Sequence, residues 1–267
     1  MAWNKKEELE VPNVDEFFKP STELPPVEGL KVGVYGLPGS GKSHFALTAP
    51  KPIFVIDTEF GSRLVVDNAV PPEERDKVYI FEALQLDPET MEPDPIQSLE
   101  EVEKALKAVV KYVQDHSDVR GTIVIDSASD IWQWIGVWLE EEGARRRTKS
   151  GEVPRFEWGR ANKRYLQMIY KLLRSKWHVV LTGKVQEVFT EDGTPTGRYR
   201  SRWQKDTEHW LDIVMKAEVM IPPGKTTPVR QFTIVKCRAW NISGTIVDCT
   251  WDKLVKFVEE KAKVKVL

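Results

Sequence analysis

The stretch Gly36-Leu37-Pro38-Gly39-Ser40-Gly41-Lys42-Ser43 decides how this chain is read. An apolar run, residues 32–35, precedes it, and residues 44–48, beginning with His44, can open a helix. Strand, glycine-rich turn and helix in that order are the context a phosphate-binding loop requires. The chemistry dictates the residue types. Glycines let the backbone wrap closely around a triphosphate, and successive N–H groups make an anion nest. Lys42 supplies a point charge for the β- and γ-phosphates, and Ser43 supplies a hydroxyl for Mg²⁺. Residues 36–44 are therefore the expected cradle of a nucleoside triphosphate.

Outward from the loop, apolar runs and helical periodicities alternate. Residues 52–57 form a short apolar strand, 78–81 another, and an acidic, proline-bearing surface loop follows at 87–95. Val102, Ala105, Leu106, Val109, Val110 and Val113 recur at helical spacing within 99–113. A strand at 122–126 leads to a tryptophan-rich helix at 131–139, a charged loop at 140–154, a helix at 156–175 and a strand at 179–182. The pattern then changes. Residues 185–203 alternate around Asp192-Gly193, a hairpin signal, although Thr194-Pro195-Thr196-Gly197 makes the loop longer than two residues. Strands at 217–221, 231–237 and 244–247 and a closing helix at 251–261 complete the reading. The expected fold is α/β, a mainly parallel sheet flanked by helices with an antiparallel, strand-rich C-terminal extension. Residues 1–29, polar and punctuated by proline, are expected to be an arm ahead of one domain at 30–267.

Composition sets bounds. The 267 residues are 41% hydrophobic and 30% charged, enough for a full core without a disordered character. A formal net charge of -2 gives no global basic field, so any nucleic-acid surface must be local. Cys237 and Cys249 are too few for a disulfide framework or a zinc site. No apolar run approaches the length of a membrane span, and the start lacks a secretory apolar core, so a cytoplasmic protein without a membrane partner is expected.

Acids end the two other apolar strands. Asp126 follows Ile123-Val124-Ile125 and is placed to support Mg²⁺ from the second shell. Asp57 and Glu59 end the strand after the loop's helix, where a carboxylate can orient water for in-line attack on a γ-phosphate. Asn162-Lys163 lies in a predicted helix with no Asp two residues on, so guanine readout is unsupported.

Four segments together carry a family likeness: residues 36–43, Val55-Ile56-Asp57-Thr58-Glu59, Val124-Ile125-Asp126-Ser127, and Val180-Leu181-Thr182-Gly183-Lys184-Val185-Gln186. Over residues 30–250 their order and spacing resemble the RecA/RadA ATPases, and within them the small phage and viral proteins of single-strand annealing and recombination. The resemblance implies ATP with Mg²⁺, Glu59 as catalytic glutamate and Asp126 as the magnesium aspartate. It also implies a γ-phosphate sensor after residue 182. Where the family has a polar amide this chain has Lys184, with Gln186 two residues later, so either is a candidate. A basic pair on a late strand, which reaches a neighbouring subunit's nucleotide site in the family, is matched by Lys236 and Arg238. A homo-oligomeric ring or filament is the implied assembly.

Two basic segments stand where the family has its DNA loops. One holds Arg145, Arg146, Arg147, Lys149 and Arg155; the other holds Arg198, Tyr199, Arg200, Arg202, Trp203 and Lys205. Arg198, Arg200 and Arg202 alternate, so on a strand they share a face that can track phosphates, while Trp203 can stack on a base. Single-stranded DNA is the expected partner. Trp132 and Trp138, on a periodic helix face, read as packing. Two rivals compete: a P-loop kinase with Arg145–Arg147 in a lid, and a nucleotide switch that docks a partner through its tryptophan-rich helix.

Overall fold

The computed structural model describes residues 17–24, 28–145, 157–263 and 265. Most of the expected arm therefore lies outside the described residues, as do Arg146, Arg147, Lys149 and Arg155.

An eight-stranded sheet is the centre of the fold. In chain order its strands are β1 (Lys31–Gly36), β2 (Ile53–Asp57), β3 (Val78–Glu82), β6 (Thr122–Asp126), β7 (His178–Gly183), β10 (Ile213–Met220), β11 (Val229–Cys237) and β12 (Gly244–Val247). Across the sheet they run β12-β11-β10-β1-β7-β6-β2-β3. The six from β10 to β3 are parallel, and β11 and β12 add to the β10 edge antiparallel. The parallel sheet with an antiparallel C-terminal extension is the α/β class expected of a RecA-like core. Every residue of β1 and β6 is buried. That is why both read as unbroken apolar runs: a parallel strand covered on both faces has no solvent side to alternate towards.

Helices cover the two faces. On one face pack α3 (Pro95–Asp115), α4 (Ala128–Arg145) and α5 (Trp158–Leu173), through Leu99, Val102 and Leu106, Ile131 and Ile135, and Tyr165 and Leu172. On the other pack α1 (Lys42–Leu47), α2 (Ser62–Ala69) and α7 (Trp251–Ala262), through Phe45, Val66, Leu254 and Val258. The helix expected at 99–113 begins earlier because the Asp94 side chain accepts hydrogen bonds from Ile96 N (3.0 Å) and Gln97 N (2.9 Å), satisfying two free amides of the first turn. Pro95 fits beside it, lacking the amide that would go unpaired. The acidic loop around 87–95 folds as a small hairpin of β4 (Gln85–Leu86) and β5 (Pro93–Asp94). Helix α4 runs through Arg145, further than the periodicity showed, so Arg145 belongs to a helix end and not to the charged loop.

A separate hairpin, β8 (Val185–Phe189) with β9 (Pro195–Ser201), leaves the sheet directly after β7. A single turn of helix, α6 (Thr207–Trp210), then returns the chain to β10. The parallel topology delivers the C-terminal tips of β1, β2, β6 and β7 to one edge. Gly36, Asp57, Asp126 and Gly183 all stand there, at the crevice where open α/β sheets hold ligands.

Candidate nucleotide site

At the tip of β1 the chain turns through a loop that only small residues allow. A Cβ on Gly36 would run into the Ala217 carbonyl and stand 2.8 Å from Ser40 Oγ. Gly39 and Gly41 take φ of +76° and +92°, left-handed values that side chains resist. Leu37, Pro38 and Gly39 are exposed at the crest, whereas Ser40 is buried and its hydroxyl has no partner among the described residues. Lys42 Nζ donates to the carbonyls of Gly36 and Leu37, each at 3.0 Å. Burial lowers the Lys42 pKa; the carboxylates of Asp126 and Glu59 oppose that, and the Lys184 charge adds to it. One ammonium thus feels both candidate acids.

Asp126 sits where β6 meets α4, opposite Asp57 in the neighbouring strand. Its carboxyl is nearly buried, which raises its pKa; side-chain hydrogen bonds from Ser43 and Thr182 pull the other way, and the charges of Glu59 and Asp57 raise it further. A serine hydroxyl joined to a carboxylate at the foot of a phosphate loop is the donor set that Mg²⁺ prefers, all oxygen with room for water and phosphate. The unpartnered Ser40 hydroxyl and the glycine cradle fit a triphosphate on the same loop.

The acid at the tip of β2 is held differently. Asp57 is spent on the backbone: its oxygens accept from Glu59 N (3.0 Å) and Ser62 N (2.7 Å). It therefore shapes the turn, and Glu59, half exposed, is the carboxylate left to face the site. Lys184 Nζ bonds Glu59 Oε1 at 2.9 Å and Asp130 Oδ1 at 2.6 Å. Burial alone would lower the Lys184 pKa, but the bonds to Asp130 and Glu59 outweigh it and leave the ammonium more firmly charged. Behind it, Asp130 Oδ2 accepts from Thr58 Oγ1 and Ser127 Oγ, both at 2.8 Å, and Thr58 Oγ1 accepts from Ser127 N at 2.8 Å. Lys184 N donates to Ser129 Oγ at 2.9 Å. This satisfied network locks the tips of β2, β6 and β7 together in a low-dielectric pocket, where such bonds are strongest.

With that geometry in place, comparison with known families gives one decisive match: the model of an AAA domain (AAA_24) covers residues 28–236, which include the loop, both acids and the network behind them. The chain belongs to the AAA domain family. Its site is that of a P-loop AAA-type ATPase domain. No curated protein matches the chain. Among solved structures, a KaiC-like protein from the hyperthermophilic archaeon Pyrococcus horikoshii OT3 is similar at 16% identity, covering 82% of this chain and 85% of that one, with a TM-score of 0.43.

Other residues singled out in the sequence lie elsewhere in this AAA domain. Gln186 is on the hairpin, where its side-chain oxygen accepts from Arg200 Nε and Nη2 at 2.7 and 2.6 Å. Of the two sensor candidates, only Lys184 is brought to the acids. Lys236 and Arg238 stand at the opposite end of the sheet from the loop, because β11 is antiparallel and Lys236 pairs with Val214 near the start of β10. Lys236 Nζ donates to the carbonyls of Glu208 and, at 2.9 Å, Leu211; Arg238 donates to His209 O. His44 is half-buried on α1, and burial, then the nearby Arg230 charge, lower its pKa. Arg198, Arg200 and Arg202 are exposed on or beside β9, with Arg202 Nη2 bonded to Gln133 Oε1 at 3.2 Å. Trp203 overturns its expected role as a base platform. It is only 5% exposed, lies edge-on to Tyr35 at 5.9 Å, and fills the space above Gly33 and Gly183. Asp130 escaped the sequence reading, and Thr58 and Thr182 were quoted there without a role of their own, since nothing in the spacing joins residues that meet only when three strand tips converge.

Proposed function

We propose that this AAA domain hydrolyses ATP with Mg²⁺, using Glu59 to orient the attacking water. The supporting observation is the meeting of Lys42, Asp126 and Glu59 at one sheet edge, so that a single ammonium interacts with both carboxylates. Ser43 and Asp126 would hold Mg²⁺, which would neutralise the developing phosphoryl charge. Lys42 holds the β- and γ-phosphates once it leaves the loop carbonyls. Glu59 accepts the water's proton, and Lys184 holds that carboxylate aimed. Glu59→Gln should keep ATP binding while turnover falls about 10²- to 10⁴-fold; Lys42→Ala should lose both. Full turnover in Glu59→Gln sinks the assignment.

The polymer on which this ATPase acts is, in our reading, single-stranded DNA, in annealing or recombination. Support comes from the β8–β9 hairpin, which leaves the strand tip carrying Lys184 and presents Arg198, Arg200 and Arg202 to solvent. Beside it runs a groove lined by Arg200, Arg202, Lys205 and Trp158, the last 39% exposed. Neutralising these arginines should weaken single-strand binding and reduce its log–log salt slope by about 0.7 per lost phosphate contact. A salt-independent, unchanged affinity would discard the polymer reading. Assembly into a ring or filament belongs to the same proposal, with Lys236 and Arg238 facing a neighbouring copy's loop. Mixing Lys42→Ala with a Lys236→Ala/Arg238→Ala chain should then restore turnover that neither shows alone.

A further inference from the structure

Strand β11 brings a second cation to the phosphate loop. Phe232 on this strand is buried against Phe45 of α1, ring centres 5.9 Å apart, which fixes the strand's register over the loop's helix. Arg230 lies two residues earlier, and alternate residues of a strand share a face. Its stem accordingly lies on the loop: a Cβ added to Gly41 would be 2.6 Å from Arg230 Cδ, 3.4 Å from its Nε and 3.5 Å from Phe232 Cζ. The backbone there is pinned as well. Arg230 N donates to Asp248 Oδ1 at 3.2 Å, and Asp248 N donates to Arg230 O at 2.7 Å. Asp248 thus serves the main chain of Arg230 and forms no ion pair with its side chain.

The guanidinium is what remains unexplained. Arg75, Arg120, Arg160 and Arg164 are each held by a carboxylate. Arg230 has no side-chain hydrogen bond or ion pair among the described residues, and its stem lies against Gly41 on a loop built to attract anions. We infer that Arg230 is a nucleotide-binding residue of the same chain, engaging the α-phosphate side of a nucleoside triphosphate seated on residues 36–44. Its position supports that placement: Gly41, on which the stem lies, directly precedes Lys42 and the start of α1, at the helix end of the phosphate cradle. The inference rests on the nucleotide-site reading and extends it to a strand remote in sequence.

The test is equilibrium binding of ATP and ADP to the full chain carrying Arg230→Ala, Arg230→Lys or Lys42→Ala. Loss of a charge-assisted bond should weaken binding about tenfold or more. Arg230→Ala should show that loss equally for ATP and ADP, because both carry the α-phosphate, and Arg230→Lys should recover part of it. The nucleotide-free melting temperature of Arg230→Ala should match the parent, since the side chain is exposed. Unchanged affinity in Arg230→Ala while Lys42→Ala loses binding overturns the inference alone. A loss confined to ATP also overturns it, since that places the guanidinium at the γ end. Undiminished binding by Lys42→Ala overturns the nucleotide site itself, and the inference with it.

Discussion

Glu59 and Asp57 stand two residues apart, yet their surroundings divide the labour between them. Asp57 is consumed by two backbone amides, whereas the Glu59 carboxylate meets, among the described residues, only the Lys184 ammonium. Lys184 is tied in turn to Asp130, so its position is set by a buried carboxylate and not by the flexible stem of a lysine. In the proposed mechanism it is a positioning residue for Glu59. Lys184→Ala should lower the turnover number about ten- to a hundredfold through a misaimed carboxylate, while ATP affinity is retained. Lys184→Arg should recover much of the loss. Parallel measurement of turnover and nucleotide affinity checks this, and an unchanged turnover number in Lys184→Ala refutes it. From the sequence alone the place of Glu59 at the loop's side of the sheet was legible, because it stands just beyond an apolar strand that follows the phosphate loop's helix. The partner of Lys184 was not, because Asp130 lies 54 positions away and meets it only through the sheet.

Elements were legible where burial is two-sided. Strands β1, β2, β6 and β7 announced themselves as apolar runs, and α3 and α5 through their periodic faces. The sequence failed where local capping or tertiary packing decides. Asp94 starts α3 earlier than its apolar face suggests, and α2 is only eight residues long, too short to announce a period, and is held by Val65, Val66 and Ala69 packing on the core. Trp203 is the instructive error. In sequence it closes an alternating basic strand and looks like a stacking platform, but β9 ends at Ser201 and the chain then turns inward. The indole enters a space that Gly33 and Gly183 leave open: a Cβ would approach it to 2.9 Å at the first and 2.6 Å at the second. Trp203→Ala should therefore cost about 3–5 kcal/mol of folding stability, read from urea unfolding. A loss below 1 kcal/mol would return Trp203 to the list of surface residues.

At the scale of the whole molecule, the catalytic edge of the sheet has a counterpart with a different liability. His178 opens β7 at the far edge, its Nδ1 accepting from Leu30 N at 3.0 Å and its ring edge-on to Trp251 at 4.8 Å. Burial pushes its pKa down to about 4, with the Lys31 charge acting the same way. The unfolded chain takes up that proton near pH 6.5, before the folded one does. The contribution of His178 is therefore fully present above about pH 6.5 and drains away as the pH falls towards 4, at up to about 1.4 kcal/mol per pH unit. Urea midpoints at pH 7.5, 5.5 and 4.5 should fall more steeply for the parent chain than for His178→Asn. Equal slopes would remove His178 from the account.

The order of strands has one more consequence. The two neighbours of β1 are β7 and β10, and the later of them begins only at Ile213. During synthesis the phosphate loop is translated well before β10, and it stays unsupported on that side until residues 213–220 have been made. A nascent polypeptide of this topology has no early, self-sufficient half that could seize a cellular nucleotide. Ligand capture thereby waits on the arrival of β10 and not on that of the loop itself.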